Sequence, residues 1–182
     1  MEKNELNNLI VLSIKNDSKA FRKIVEHYQN MVYCVAFRML CNEEDAEDIV
    51  QETFIKLWKN LKKYNDNYKL STWLYSISVN LCLDKLKSTK TIHINLSEND
   101  FIGIFSSENP EQKLINSDIA KLISTLTNKL TPKQKMVFTL RFIEGLDTNE
   151  IVKITKMTPK KIKYNLYLAR KKMKEILKNY EK

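Results

Sequence analysis

The sequence predicts an all-α chain of two helical domains joined by a flexible linker, with a helix-turn-helix in the C-terminal domain. Its 182 residues are 43% apolar and 29% charged, which is the balance of a globular protein. Only two glycines and three prolines occur, too few for the many tight turns of an all-β fold. The prolines follow Asn109, Thr131 and Thr158, which can cap helices, so we expect helices to begin at about residues 110, 132 and 159.

Apolar residues at helical spacing predict a helical domain in the first 88 residues. Asp17 is the expected cap of a helical pattern that runs to Leu40. The acids that follow Cys41 and Asn42 suit the start of the next helix. A polar loop is expected from Lys62 to Leu70, and Ser71 is expected to cap a helix that runs to Leu86.

Helical periodicity fails between Ser88 and Asn109, where the chain is polar with scattered apolar residues. We therefore expect domains at residues 1–88 and 110–182, joined by a linker at residues 89–109. The second domain should contain a helix from Pro110, one from Pro132 that Gly145 closes, one from Asn149 to Thr155, and one from Pro159 towards Asn179.

Charge is unevenly distributed along the chain. Residues 131–182 contain 14 Lys and Arg against 5 Asp and Glu, which is the whole net charge of +9, whereas residues 1–130 are neutral. Such asymmetry favours a polyanionic partner for the C-terminal segment. The alternative is a solvated basic tail, which the apolar residues at helical spacing among the lysines disfavour.

The C-terminal segment has the pattern of a helix-turn-helix, with a turn at residues 156–158. The second helix of such a motif enters the major groove of DNA. Its lysines indicate phosphate contacts, whereas Asn165 is either a base reader or a solvated residue. The candidate DNA-binding residues are Lys160, Lys161, Lys163, Tyr164, Asn165, Tyr167 and Arg170.

The N-terminal segment has an acidic strip, which we define as Asp45, Asp48, Gln51 and Glu52. Its three acids have i, i+3 and i+7 spacing, which places them on one face of a helix. An acidic strip beside a buried face suits docking to a basic partner. The alternative is an ordinary solvated face.

A second N-terminal feature combines aromatic residues with lysines. Exposed aromatic rings can stack on unpaired bases while lysines follow the phosphates. Some of these rings must instead belong to the core. The aromatic residues are Tyr64, Tyr68, Trp73 and Tyr75, and the nearest lysines are Lys63 and Lys69.

Other function classes find little support in the sequence. His27 and His93 are isolated, and the three cysteines form no CxxC pair, so we expect no catalytic set, metal site or cofactor. Residues 1–8 are polar, without the features of a signal peptide, and no apolar run approaches the roughly 20 residues that span a membrane. We therefore expect a cytoplasmic protein without a membrane partner.

Two motif sets resemble the sigma-70 family of bacterial RNA polymerase sigma factors. The run DAEDIVQETFIKLW (residues 45–58), followed by WLYSISVNLCLDKL (73–86), is similar to region 2 of that family. The run from Leu130 to Met173 resembles region 4. The compact two-domain layout is similar to the extracytoplasmic-function type. The resemblance implies a protein that binds core polymerase and directs promoter-specific initiation.

The resemblance also implies residue roles. The acidic strip would bind the clamp helices of the polymerase's largest subunit, and region 4 would lie near the flap region. The loop at residues 62–70 would hold a flipped base of the minus-ten element, with Lys63, Tyr64, Lys69, Trp73, Tyr75 and Asn80 as its binding residues. The helix from Pro159 would read the minus-thirty-five element. Many family members are held by an anti-sigma factor, so such a protein is a candidate partner.

Several positions depart from the family's pattern. Lys156 occupies the turn position where the family usually has glycine, so a lysine is expected at positive φ. Val152 replaces a small residue, Lys161 and Tyr164 replace small hydroxyl residues, and Asn165 replaces a common arginine. These departures concern the promoter sequence and not the fold.

Two other functions remain open from the residues. A free-standing transcription regulator would use only the C-terminal module, which leaves the patterns at residues 45–86 unexplained. An enzyme would need a nucleophile-base pair, a phosphate loop or a metal cluster, none of which the sequence contains.

Overall fold

The computed structural model describes residues 2–66, 68–90 and 129–180, and every regular element within these ranges is helical. The chain divides into two compact units. The first contains most of four helices: α1 (Lys3–Ile14), α2 (Ser18–Leu40), α3 (Glu43–Asn60) and α4 (Leu70–Lys90). The second contains most of three: α5 (Pro132–Phe138), which continues as a π-helix (Thr139–Ile143), α6 (Thr148–Thr155) and α7 (Pro159–Tyr180). The predicted all-α class is confirmed.

Side-chain caps define where several helices begin. Asp17 accepts hydrogen bonds from the backbone N–H groups of Lys19 and Ala20, at 2.8 and 3.1 Å. Thr131 forms a reciprocal capping box with Gln134 at the start of α5. The hydroxyl of Thr158 accepts from the backbone of α7. These caps confirm the predicted starts of α2, α5 and α7.

The core of the N-terminal unit is formed where α1, α2, α3 and α4 pack together. A stripe of small and branched residues on α2 is fully buried, and α3 supplies Phe54 and Leu57. The left-handed Cys41 and the capping residue Asn42 reverse the chain between α2 and α3, so the two apolar faces meet. The cluster contains Leu9, Ile10, Ala20, Ile24, Val32, Phe54, Leu57, Leu61, Leu70 and Leu74.

Helix α1 is an element that the sequence analysis missed. We interpreted residues 1–8 as a polar terminus, whereas the helix begins at Lys3 and buries Leu9 and Ile10 in the core. The signal was present, because Leu6, Leu9, Ile10 and Ile14 have helical spacing.

The start of α4 also differs from the prediction. The backbone N–H of Trp73 donates to the carbonyl of Lys69, so the helix begins before Ser71, which lies inside its first turn. The predicted cap at Ser71 is therefore wrong. Buried Leu70 explains the earlier start, because its side chain belongs to the core cluster and fixes the chain there.

The C-terminal unit is built on α5 and α7. Met136, Val137 and Leu140 are buried, as are Ile162 and Ala169 of α7. Gly145 closes the helix with φ +70°, and the N–H of Leu146 donates to the carbonyl of Leu140. The predicted linker beyond residue 90, and the helix predicted from Pro110, lie outside the described residues.

Candidate interfaces for protein and nucleic acid

The acidic strip lies on the solvent side of α3. Asp48, Gln51 and Glu52 are exposed, and Asp45 is half-buried. The opposite side of the helix is buried in the unit, through Ala46, Ile49, Phe54 and Leu57. The carboxylate of Glu52 forms an ion pair with Lys56, one turn later, at 2.9 Å. The strip is thus a rigid, predominantly anionic surface on a well-anchored helix.

Ile55 extends this surface in a way that sequence reasoning missed. Its side chain is 51% exposed, and it lies one turn after Gln51 and Glu52 on α3. An exposed branched side chain beside polar residues suits a protein interface, where apolar contact supplements charge. Helical spacing could have identified it, because Ile55 falls outside the buried stripe of α3.

The loop between α3 and α4 is held by aromatic contacts. The rings of Tyr64 and Trp73 stack with centroids 5.8 Å apart and planes 17° from parallel. The hydroxyl of Tyr64 donates to the carbonyl of Tyr68 at 2.8 Å. Burial raises the pKa of Tyr64, and nearby Tyr28 and Asp66 raise it further. The loop is therefore anchored to the core by the same rings that the sequence assigned to DNA.

The remaining minus-ten candidates differ in exposure. Lys63, Lys69 and Asn80 are exposed, so they can reach a ligand. Tyr75 is only 8% exposed, so its ring is not available for stacking on a base. The sequence analysis left open which of the four rings belong to the core, and the family resemblance placed Tyr75 among the minus-ten residues; its burial assigns it to the core.

The turn before α7 has the geometry that the sequence predicted. Asp147 and Glu150 cap α6 reciprocally, with N–H to carboxylate distances of 3.0 and 2.8 Å. Lys156 then adopts φ +58°, the left-handed conformation that favours glycine. Thr158 caps the next helix. The two helices are joined by a short turn in spite of the missing glycine.

Helix α7 presents one basic and aromatic face to solvent. Ile162 and Ala169 are fully buried. On the outer side, Tyr164 and Tyr167 are 62% and 63% exposed. We call this side the outer face and define it as Lys160, Tyr164, Tyr167 and Lys171, which have i, i+4, i+7 and i+11 spacing and are all exposed.

Two predicted DNA-contact residues have partners within the unit. The side-chain amide of Asn165 donates one of its two N–H groups to the carbonyl of Lys161 at 2.8 Å. The guanidinium of Arg170 lies 4.6 Å from the centroid of the Phe142 ring. The sequence did not reveal either contact, since one depends on a rotamer and the other on a distant residue.

Comparison with known proteins identifies the family. A model described as "Sigma-70 region 2" matches residues 24–91, and one described as "Sigma-70, region 4" matches residues 120–173. The chain belongs to the sigma-70 family. The first match contains the acidic strip, and the second contains the outer face of α7, so both candidate surfaces fall within the regions of a promoter-directing RNA polymerase sigma factor.

Relatives of known function place this sigma factor in the extracytoplasmic-function type. It is 29% identical to "ECF RNA polymerase sigma factor SigW" of Bacillus subtilis over 91% of this chain and 92% of that protein. It is 27% identical to "ECF RNA polymerase sigma-E factor" of Haemophilus influenzae over 86% of each chain. Members of this family are transcription initiation factors.

Two solved structures have the same fold at low sequence identity. One is CnrH in complex with the cytosolic domain of CnrY, with a TM-score of 0.70 and 18% identity over 96% of this chain and 98% of that chain. The other is the sigma factor RpoE in complex with the anti-sigma factor NepR from Bartonella quintana, with a TM-score of 0.67 and 19% identity over 88% and 98%.

Two further features, a metal-binding cluster and a membrane span, are absent from the described part of this sigma factor. Within residues 2–66, 68–90 and 129–180, no group of three or more His, Cys, Asp or Glu side chains could hold a metal ion. None of the helices described there has the length and apolar character needed to cross a membrane.

Proposed function

We propose that this sigma factor docks on core RNA polymerase through the acidic strip and engages the two promoter elements through the α3–α4 loop and α7. The observation that carries the proposal is the arrangement of α3, with Asp48, Gln51 and Glu52 exposed on one side and a buried apolar face on the other. A rigid anionic helix suits a basic helical partner, which the family resemblance identifies as the clamp helices of the largest subunit.

For the minus-ten element, we propose Lys63, Tyr64, Lys69, Trp73 and Asn80 as the binding residues. The exposed lysines would neutralise phosphates, and the stacked Tyr64–Trp73 pair would offer a ring edge to an extruded base. Base extrusion costs on the order of a few kcal/mol, which binding in the loop would offset. Tyr75 is left out because it is buried.

For the minus-thirty-five element, we propose the N-terminal half of α7. Lys160, Lys161 and Lys163 are exposed and would contact phosphates, while Tyr164 and Tyr167 would contact base edges or sugar. Asn165 would contact a base through its second amide N–H and its carbonyl oxygen. Arg170 would contribute less binding energy than the sequence alone indicates, because its guanidinium already lies over the Phe142 ring. Region 4 would also contact the flap region of core polymerase.

Further partners and location follow from the same proposal. One structure of similar fold is a complex with an anti-sigma factor, so an anti-sigma factor is a proposed regulator of this chain. Because bacterial polymerase and the chromosome lie in the cytoplasm, we expect the chain to act there. It would contribute binding and strand opening, and the polymerase would perform catalysis.

Run-off transcription with bacterial core polymerase tests the proposal. We expect the chain to bind core and to produce transcripts that begin at a defined site on a responsive promoter. Failure to bind core would contradict the proposal and favour a free-standing regulator that uses the C-terminal unit alone.

The acidic strip is tested by the double change Asp48→Arg and Gln51→Arg. Both side chains are exposed, so the fold should survive while core affinity falls by on the order of tenfold or more, because each arginine faces a basic partner. The matched control is Glu5→Arg with Asn8→Arg on exposed positions of α1. Equal core affinity of the strip variant and the control would show that the strip is only a solvated face.

A further inference from the structure

Helix α7 is longer than the part of it that matches the family. The region 4 match ends at residue 173, whereas α7 continues to Tyr180. We call residues 174–180 the α7 extension. Its Ile176 is buried and follows Ile162 and Ala169, which are also buried, at seven-residue steps on one side of the helix. The extension is therefore a packed continuation of α7.

The α7 extension continues the outer face towards the C-terminal end of the helix. Lys174 and Lys178 follow Lys171 at i+3 and i+7, so they lie on the same side of α7, and both are exposed. Neither forms an ion pair with any residue that the structure describes. Their ammonium groups are thus available to a partner.

The larger share of the charge on α7 lies beyond the half that is assigned to the promoter element. Residues 159–169 contain three lysines and no acid, whereas residues 170–178 contain five Lys or Arg and one Glu. The helix dipole accounts for a cation in the last turn, such as Lys178, but not for the whole row. Leu177 is 46% exposed, but one leucine among five cations is not the apolar centre of a protein interface. The surface favours a polyanion.

The length of α7 determines where these lysines meet a bound duplex. With a rise of 1.5 Å per residue, Lys174 and Lys178 lie about 15 and 21 Å along the axis from Tyr164. The major groove is about 12 Å wide and curves round the duplex, so a straight helix that inserts its N-terminal half leaves the groove towards its C-terminal end. The phosphates at the edge of the groove are then the DNA groups nearest to the extension.

We propose that the α7 extension binds phosphates of the DNA that flanks the minus-thirty-five element, through Lys174 and Lys178. The inference rests on the proposed function, because it assumes that the N-terminal half of α7 engages that element. Phosphate contacts carry no base preference, so the extension adds affinity without adding sequence specificity. The DNA that the C-terminal unit contacts is then longer than the element itself.

Equilibrium binding of the full chain, in complex with core RNA polymerase, to two promoter duplexes tests the extension. Both duplexes have the sequence of the promoter used for run-off transcription. In the second, which we call the neutralised duplex, uncharged methylphosphonates replace the phosphates within about six base pairs of either end of the minus-thirty-five element. This distance covers the reach of the extension at about 3.4 Å per base pair.

The double change Lys174→Gln with Lys178→Gln should weaken binding to the unmodified duplex about tenfold at low salt. The slope of log affinity against log salt should fall by about 2, because two phosphate contacts are lost. On the neutralised duplex, the same change should weaken binding by less than about twofold, since the lysines have no charged partner there. Glutamine is a good helix former, so circular dichroism should show unchanged helix content.

The matched control is Lys19→Gln with Lys23→Gln, which removes two exposed lysines with the same i, i+4 spacing from α2. This control should bind both duplexes like the unchanged chain. If the α7 variant binds like the control, its lysines contact no phosphate and the inference is wrong. An equal loss on both duplexes would place the contacts away from the flanking phosphates, and a loss of core affinity alone would identify a protein partner. Either result also overturns the inference.

Lys160→Gln separates this inference from the proposed function. Lys160 lies at the start of α7, so its loss should weaken binding to the unmodified duplex whether or not the extension reaches DNA. A loss with Lys160→Gln and none with the α7 extension variant would refute the extension and keep the assignment of α7 to the promoter. No loss with either variant would refute both.

Discussion

Two residues of the C-terminal unit, Gly145 and Lys156, have left-handed backbone conformations. Lys156 and Gly145 both adopt positive φ, at +58° and +70°. A Cβ added at Gly145 would meet no atom within 4 Å, so a substitution there would add conformational strain and no steric clash. At Lys156 the strain is already present, because a residue with a Cβ is disfavoured in this region and glycine is not.

We therefore predict opposite effects of exchanging residue types at these two positions. Gly145→Ala should destabilise the protein by about 1 kcal/mol, whereas Lys156→Gly should stabilise it by about 0.5 kcal/mol, since strain relief exceeds the entropy that glycine adds to the unfolded chain. Urea denaturation of both variants measures the effects. A loss of stability in Lys156→Gly would mean that the lysine side chain makes a contact that matters more than the strain.

Arg170 has two candidate roles, which are stabilising the C-terminal unit and binding DNA. Because its guanidinium lies over Phe142, Arg170→Ala should lower the free energy of unfolding by about 0.5–1 kcal/mol and the thermal midpoint by about 2 °C. Lys171→Ala, a change of the same charge at the neighbouring exposed position, should leave stability unchanged. Equal thermal midpoints of these two variants would assign Arg170 to the DNA surface alone.

At the scale of elements, the short helix α6 depends on its first turn. It has eight residues. At its start, the backbone N–H of Asp147 donates to the carboxylate of Glu150, and the backbone N–H of Glu150 donates to the carboxylate of Asp147. A helix of this length is marginal without such a cap and without tertiary packing. Its position matters for function because α6 precedes the turn that orients α7.

Asp147→Ala should therefore destabilise the C-terminal unit by about 1 kcal/mol, and Asp147→Asn should not, since asparagine caps as well as aspartate. Chemical denaturation measures the stability, and binding of duplex DNA that carries the minus-thirty-five element measures the consequence for function. A destabilised Asp147→Asn variant would point to the charge of Asp147 and not to its cap.

The whole molecule combines a neutral N-terminal part with a C-terminal segment that carries the net charge of +9. Binding of free DNA should depend steeply on salt, because each phosphate contact releases counterions. We predict that Lys160→Ala and Lys171→Ala each lower the slope of log affinity against log salt by about 1. Lys59→Ala, at an exposed position of α3, is the control and should leave the slope unchanged. An unchanged slope in the α7 variants would exclude the outer face as the phosphate-binding surface.

The sequence by itself determined the all-α class, the main helix starts and the family. These properties are local, because caps, proline positions and helical spacing act within one or two turns of the chain. The acidic strip on α3 was predicted for the same reason, whereas the positive φ of Lys156 was predicted from the family resemblance.

Only the tertiary structure decided which side chains are available at the candidate surfaces. Tyr75 is buried, and Arg170 lies over a ring 28 positions earlier in the chain. Each of these facts depends on packing between segments distant in sequence, which local periodicity does not contain. The helical pattern predicted where the surfaces lie, and packing determined which side chains they present.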